Sequence, residues 1–129
     1  MSAMSASAEE IVNEFLARVV VDVDAACELV ADDIEYDNVP AGKSVGPDGV
    51  KAVFAMMSNG VEEMEFVVHR QLAVGDTVMN ERTDRFRYGS STWVDLPVAG
   101  LFVVGDDGKI TLWRDYFDLA TFMNQVPSG

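Results

Sequence analysis

The run Asn80-Glu81-Arg82-Thr83-Asp84-Arg85-Phe86 alternates like a β-strand but carries more charge than a strand ordinarily tolerates. Strand side chains point to opposite faces in turn, so Asn80, Arg82, Asp84 and Phe86 share one face, and Glu81, Thr83, Arg85 and Arg87 share the other. One of these faces must be wet. If it is the Glu81, Arg85 and Arg87 face, then Arg82 and Asp84 point inward beside Phe86, where charges persist only when paired and hydrogen-bonded. The run alone allows two readings: a structural ion pair inside a core, or a functional site built around one.

Working outward, the spacing predicts strands over Glu63–Val74, Thr77–Tyr88, Thr92–Val104 and Lys109–Phe117, an antiparallel meander. Gly75-Asp76, Gly89-Ser90-Ser91 and Gly105-Asp106-Asp107-Gly108 supply its turns. These strands exceed the usual ~5 or 6 residues, so the sheet must bend strongly. Pro97 and Gly100, inside the third of them, predict a bulge or an edge.

Upstream, Ser7-Ala8-Glu9-Glu10 reads as a capping box for a helix whose stripe is Ile11, Phe15, Val19 and Leu16, ending near Val21. Asp22 caps a second helix running through Ala25, Ala26, Leu29 and Val30 until Asp32 and Asp33 break it. In Ile34-Glu35-Tyr36-Asp37-Asn38-Val39-Pro40, parity puts Ile34, Tyr36 and Asn38 on one face; Tyr36 and Asn38 also suit a turn entry before Pro40. Ala41 to Val45 is expected to be a loop. Pro47 opens a third helix lined by Val50, Val53, Phe54 and Met57 and stopped by Asn59-Gly60, with Met56 and Met57 as core filling. The chain closes with a short helix or turn over Leu119 to Gln125 that contributes Phe122.

At 129 residues the chain suits one domain over 1–129, with residues 1–7 expected to be disordered. No apolar run approaches a membrane span, and Met1 to Ala8 has neither the basic start nor the apolar stretch of a signal peptide. A cytoplasmic location is the resulting expectation. Cys27 is the sole cysteine, which excludes an internal disulfide and a cysteine zinc cage. A net charge of −13 repels phosphate backbones and anionic lipid, so neither nucleic acid nor membrane is expected as a partner. His69, the sole histidine, lies in a strand-like run and reads as a structural or surface residue.

In Trp113-Arg114-Asp115-Tyr116-Phe117, parity places Asp115 between the aromatic rings of Trp113 and Phe117. Either those rings are exposed or Asp115 is buried among them. With Arg82 and Asp84 this makes a candidate Asp/Arg/Asp cluster, and Tyr36 and Asn38 are candidate polar neighbours.

Three blocks, Tyr36-Asp37-Asn38-Val39-Pro40, Asn80 to Phe86, and Trp113-Arg114-Asp115-Tyr116-Phe117-Asp118, resemble those of the limonene-1,2-epoxide hydrolase family. The resemblance spans about residues 10 to 125. It implies an α+β fold in which a cone-shaped, strongly curved mixed β-sheet wraps around helices, the nuclear transport factor 2-like or cystatin-like roll. It also implies that Tyr36, Asn38 and Asp115 hold and activate water, that Arg82 bridges the two carboxylates, and that Asp84 protonates the epoxide oxygen. A homodimer is expected by the same resemblance.

Opening an epoxide requires a nucleophile at carbon while the departing alkoxide is protonated. Two carboxyls in one dry pocket resist double ionisation, and an arginine between them pins both through its fork of donors. The expected products are vicinal diols, formed from a small apolar epoxide and water with no metal or organic cofactor. Phe86 and Phe117 by parity, joined by Met79, Leu96 and Phe122, are expected to bind the substrate. Two other readings stay open: an isomerase or cyclase on the same cone, and a non-catalytic dimeric binding module.

Overall fold

The computed structural model describes residues 6–127. Ser7 caps helix α1 (Ala8–Val19) through the capping box, its hydroxyl accepting from the Glu10 amide while the Glu10 carboxylate accepts from the Ser7 amide. That satisfies two of the N–H groups a helix start leaves without partners. Residues 1–5 of the stretch expected to be disordered lie outside the described residues. The apolar stripe Ile11, Val12, Phe15, Leu16 and Val19 is buried, and α1 lies in the concave side of the sheet.

Asp22 caps α2 (Val23–Ala26), which tightens into a 3-10 turn over Cys27–Leu29. The second helix is therefore shorter than expected, and Val30 already belongs to a strand, β1 (Val30–Asn38). Residues expected as a loop form a short strand, β2 (Gly42–Val45), because a tight reversal after Asn38 folds them back antiparallel to β1. Helix α3 (Gly46–Met57) carries Pro47 in its first turn and buries Val50 and Phe54. Met56, expected in the core, is 73% exposed on the opposite side of α3, whereas Met57 packs against the apolar interior.

The meander forms β3 (Val61–Val74), β4 (Thr77–Tyr88), β5 (Thr92–Val104) and β6 (Ile110–Tyr116), followed by α4 (Leu119–Met123). Gly75 (φ 60°) and Gly89 (φ 64°) turn two of its hairpins in the left-handed region that glycine enters freely. Strand order is β2-β1-β6-β5-β4-β3, with β1 parallel to β6 and the other pairs antiparallel, so the sheet is mixed, curved and open at both edges. The fold is α+β, with helices filling the concave face.

Pro97 and Gly100 do not interrupt the β4–β5 ladder, whose register runs unbroken from Thr77↔Val103 to Tyr88↔Thr92. Pairing of β5 with β6 begins at Ala99, so Pro97 lies where β5 has a free side and its missing N–H is tolerated. Gln125 covers that side, its amide accepting from the Asp95 N–H at 3.1 Å and donating to the Asp95 carbonyl at 2.8 Å. A shift in β3 between Val68 and Arg70 leaves His69 in a bulge. One extra residue reverses the facing of everything beyond it. Val68 pairs with Arg82 before the bulge and Gln71 pairs with Asn80 after it, so Gln71 faces inward and Leu72 is 76% exposed. Among the described residues no helix is long and apolar enough to cross a membrane.

Candidate active site

Five strands bring one cross-strand row, polar at all but one position, to the concave face. Asn38 on β1 pairs with Asp115 on β6, Asp115 with Gly100 on β5, Gly100 with Asn80 on β4, and Asn80 with Gln71 on β3. Strands lie about 4.8 Å apart, so neighbouring side chains in such a row touch. Gly100 leaves the middle of the row empty, and the Arg82 guanidinium fills that gap. A Cβ on Gly100 would overlap Arg82 Nη1 and come within 2.9 Å of both Asn80 Oδ1 and Asp115 Oδ1.

Arg82 is 1% exposed, and each of its N–H donors has an acceptor. Nε donates to Asp84 Oδ1 at 2.9 Å and Nη2 to Asp84 Oδ2 at 3.0 Å, a bidentate pair. Nη2 also reaches Asp115 Oδ2 at 2.9 Å, and Nη1 reaches Asp115 Oδ1 at 3.3 Å and Asn80 Oδ1 at 3.0 Å. Phe66 and Phe102 cover the guanidinium with its carbon 5.2 and 6.0 Å from their ring centres, which excludes water and adds cation–π attraction.

The two carboxylates are not equivalent. Asp115 Oδ1 accepts a further bond from Trp113 Nε1 at 2.8 Å, whereas Asp84 takes its donors from Arg82. Trp113 is held for that role by stacking on Tyr36 (4.2 Å between ring centres) and by the edge contact with Phe15 on α1 (5.0 Å). Burial pushes the Asp84 carboxyl up to about 6, Arg82 opposes the shift, and the negative charge of Asp115 adds to it. Burial, followed by the charge of Asp115, drives the Tyr36 hydroxyl well above the ordinary phenol range, so it remains a proton donor.

Asp84 and Asp115 open with Tyr36 and Asn38 onto one cavity of about 660 Å³, counting its mouth. Its remaining wall is apolar: Phe86 and Phe117, which parity turns inward, and Leu96 and Phe122, expected beside them, together with Phe66 and Val98. Met79 is not part of it. Standing one residue out of step with Asn80, it points to the outer face of β4 and is 52% exposed. His69 is exposed and bonded to the Thr83 hydroxyl at 2.8 Å, remote from the cavity.

The model of the limonene-1,2-epoxide hydrolase catalytic domain matches residues 6–128. The chain belongs to the limonene-1,2-epoxide hydrolase family. It is 39% identical over 98 residues to epoxide hydrolase EphG of Mycobacterium tuberculosis, a match covering 76% of this chain. That match spans 64% of the length of EphG. A solved M. tuberculosis epoxide hydrolase resembling this family superposes with a TM-score of 0.78 at 34% identity, covering 92% of this chain and 87% of that one. A SnoaL-like protein from Shewanella denitrificans superposes with a TM-score of 0.82, over 92% of this chain and 95% of that one. At 16% identity that likeness concerns the fold alone.

In this limonene-1,2-epoxide hydrolase family chain, three contributors to the site have no role that the spacing alone assigns. Parity puts Asn80 on the inward face without naming a partner, and Gly100 reads as a weak point of a strand. Trp113 reads as an aromatic flank, although a buried indole N–H also needs an acceptor. A polar residue sharing a strand face with a buried arginine is the signal that marks Asn80.

Proposed function

We propose that the chain hydrolyses a small apolar epoxide in a single step to a vicinal diol. The reading rests chiefly on one observation: a fully buried arginine donates to both Asp84 and Asp115 beside an apolar cavity. Asp115 takes a proton from a water whose oxygen forms the new C–O bond. The epoxide C–O bond breaks as its oxygen takes the Asp84 proton. Tyr36 donates to the water and Asn38 accepts its second hydrogen, leaving a lone pair aimed at carbon. Returning the proton from Asp115 to Asp84 resets the site.

The apolar wall selects an uncharged hydrocarbon epoxide, since a polar substituent there would lose its hydration without gaining a partner. An isomerase or cyclase needs a free carboxylate base to carry a proton between carbons. Both carboxylates here are held on Arg82, which disfavours that reading. Incubation with a panel of cyclic and linear epoxides tests the proposal: diol formation supports it, and tight binding of apolar epoxides without any diol supports the binding-module reading instead.

We also infer a homodimer through the outer sheet face, with residence in the cytoplasm. Leu72, Met79 and Leu101 stand side by side on that face, next to Val74, Ala99 and Tyr116, an apolar patch on an otherwise acidic protein. Sedimentation of the wild type and of Met79→Lys tests this; a wild type that sediments as a monomer overturns it.

A further inference from the structure

We propose that Asn80 and Gln71 are positioning residues for the hydrolytic site, forming a one-way amide relay, anchored on Glu9 of α1, that fixes the guanidinium of Arg82. The inference rests on the proposed role of Arg82 in holding Asp84 and Asp115. It concerns residues that do not line the cavity.

Asp84 and Asp115 account for four of the N–H donations of Arg82. The fifth goes to Asn80 Oδ1 at 3.0 Å. With Arg82 buried, no solvent replaces that acceptor, and an amide turned the other way would set N–H against N–H. Shape cannot enforce the correct turn, because the two ends of a carboxamide are nearly the same size. Its partners must enforce it. Asn80 Nδ2 donates to Gln71 Oε1 at 3.0 Å, and Gln71 Nε2 donates to Glu9 Oε2 at 3.0 Å and to Asn13 Oδ1 at 2.9 Å.

Glu9 decides the direction, since an ionised carboxylate only accepts. It holds the Gln71 amide nitrogen toward α1, which turns the Gln71 oxygen to Asn80 and the Asn80 oxygen to Arg82. Every donor in the string points away from the active site, so the bonds polarise one another in the same sense. The bulge at His69 makes this possible by turning Gln71 inward opposite Asn80.

As Asp84 gives up its proton and Asp115 takes one, the negative charge moves from Asp115 to Asp84, and Arg82 must keep its hold on both without rotating toward either. The relay restrains its Nη1 corner during that step. Losing the relay should therefore lower kcat, while substrate binding, which depends on the apolar wall, is unchanged.

The test compares wild type, Gln71→Met and the exchanged pair Glu9→Gln/Gln71→Glu. In the exchanged pair the carboxylate introduced on β3 would accept both from Asn80 and from the amide introduced on α1. Expected is a kcat about tenfold lower for Gln71→Met, with KM within about twofold, and recovery to within about twofold of wild type in the exchanged pair. A merely structural tie between α1 and β3 would lower the melting temperature and leave kcat alone. An unchanged kcat in Gln71→Met, or a folded exchanged pair that fails to recover, overturns the relay. Wild-type NMR supplies a readout independent of activity: slow solvent exchange at the Asn80 side-chain amide and the Arg82 Nη protons is expected, and fast exchange at both overturns it. A wild type without turnover on any epoxide removes the proposed hydrolysis and leaves the NMR result to judge the relay. Wild-type turnover with unaffected Gln71→Met kinetics removes the relay alone.

Discussion

The guanidinium of Arg82 lies against the α-carbon of Gly100, in the gap left between Asn80 and Asp115. That single missing side chain lets an arginine on β4 reach a carboxylate on β6 across an intervening strand. Gly100→Ala should displace Arg82, with overpacking that costs about 1–3 kcal/mol of stability. A displacement on the order of 1 Å near reacting groups lowers rates roughly 10²-fold. Thermal unfolding and diol formation measured on the same variant check both effects.

If Asp84 is the proton donor as proposed, Asp84→Asn should lower turnover by about 10² to 10⁴-fold. Its stability should also respond to pH in a particular direction. The folded-state value, near 6, lies above the ordinary 3.8, so between these values the folded protein keeps a proton that the unfolded chain has lost. Stability from this group is fully present below about pH 4 and is lost as pH rises through about 6, a change of about 3 kcal/mol. The stability of the wild type relative to Asp84→Asn should therefore decline by about that amount between pH 4 and pH 7. Denaturant melts of both proteins across that range check it, and a difference that grows with pH contradicts it.

Trp113→Phe retains an aromatic ring between Tyr36 and Phe15 but removes the N–H on Asp115 Oδ1. We expect a kcat lower by about tenfold, the worth of roughly one hydrogen bond to a charged group, with KM within about twofold. Steady-state kinetics on one good epoxide decides it.

At the mouth, Phe122 on α4 meets Phe86 edge-on at 5.8 Å and forms part of the cavity wall. Phe122→Ala should raise KM by about three- to tenfold through lost apolar contact and leave kcat nearly unchanged. A fall in kcat at constant KM would show that this wall acts on the reaction step instead.

Much of this arrangement is legible in the sequence because strand alternation is a strong signal. Arg82, Asp84 and Phe86 face inward together, Asp115 lies between Trp113 and Phe117, and the long strands imply a bent sheet. Alternation fails where the backbone departs from it. Read straight through β3 it would turn Leu72 inward, and only the bulge at His69 brings Gln71 to Asn80. Gly100 carries no side chain to signal its role, which becomes visible only when Arg82 is seen lying across it. The β2 strand leaves no such pattern, because Gly42-Lys43-Ser44-Val45 pairs through its backbone with little burial of its side chains.

The most direct test of water attack assisted by Asp84 and Asp115 is a single turnover in oxygen-18 water with enzyme in excess over epoxide. One-step hydrolysis predicts label in the diol from the first turnover and none in the protein. Unlabelled oxygen in the first diol, with oxygen-18 appearing at Asp84 or Asp115, would mean that a carboxylate attacked the substrate and would contradict it.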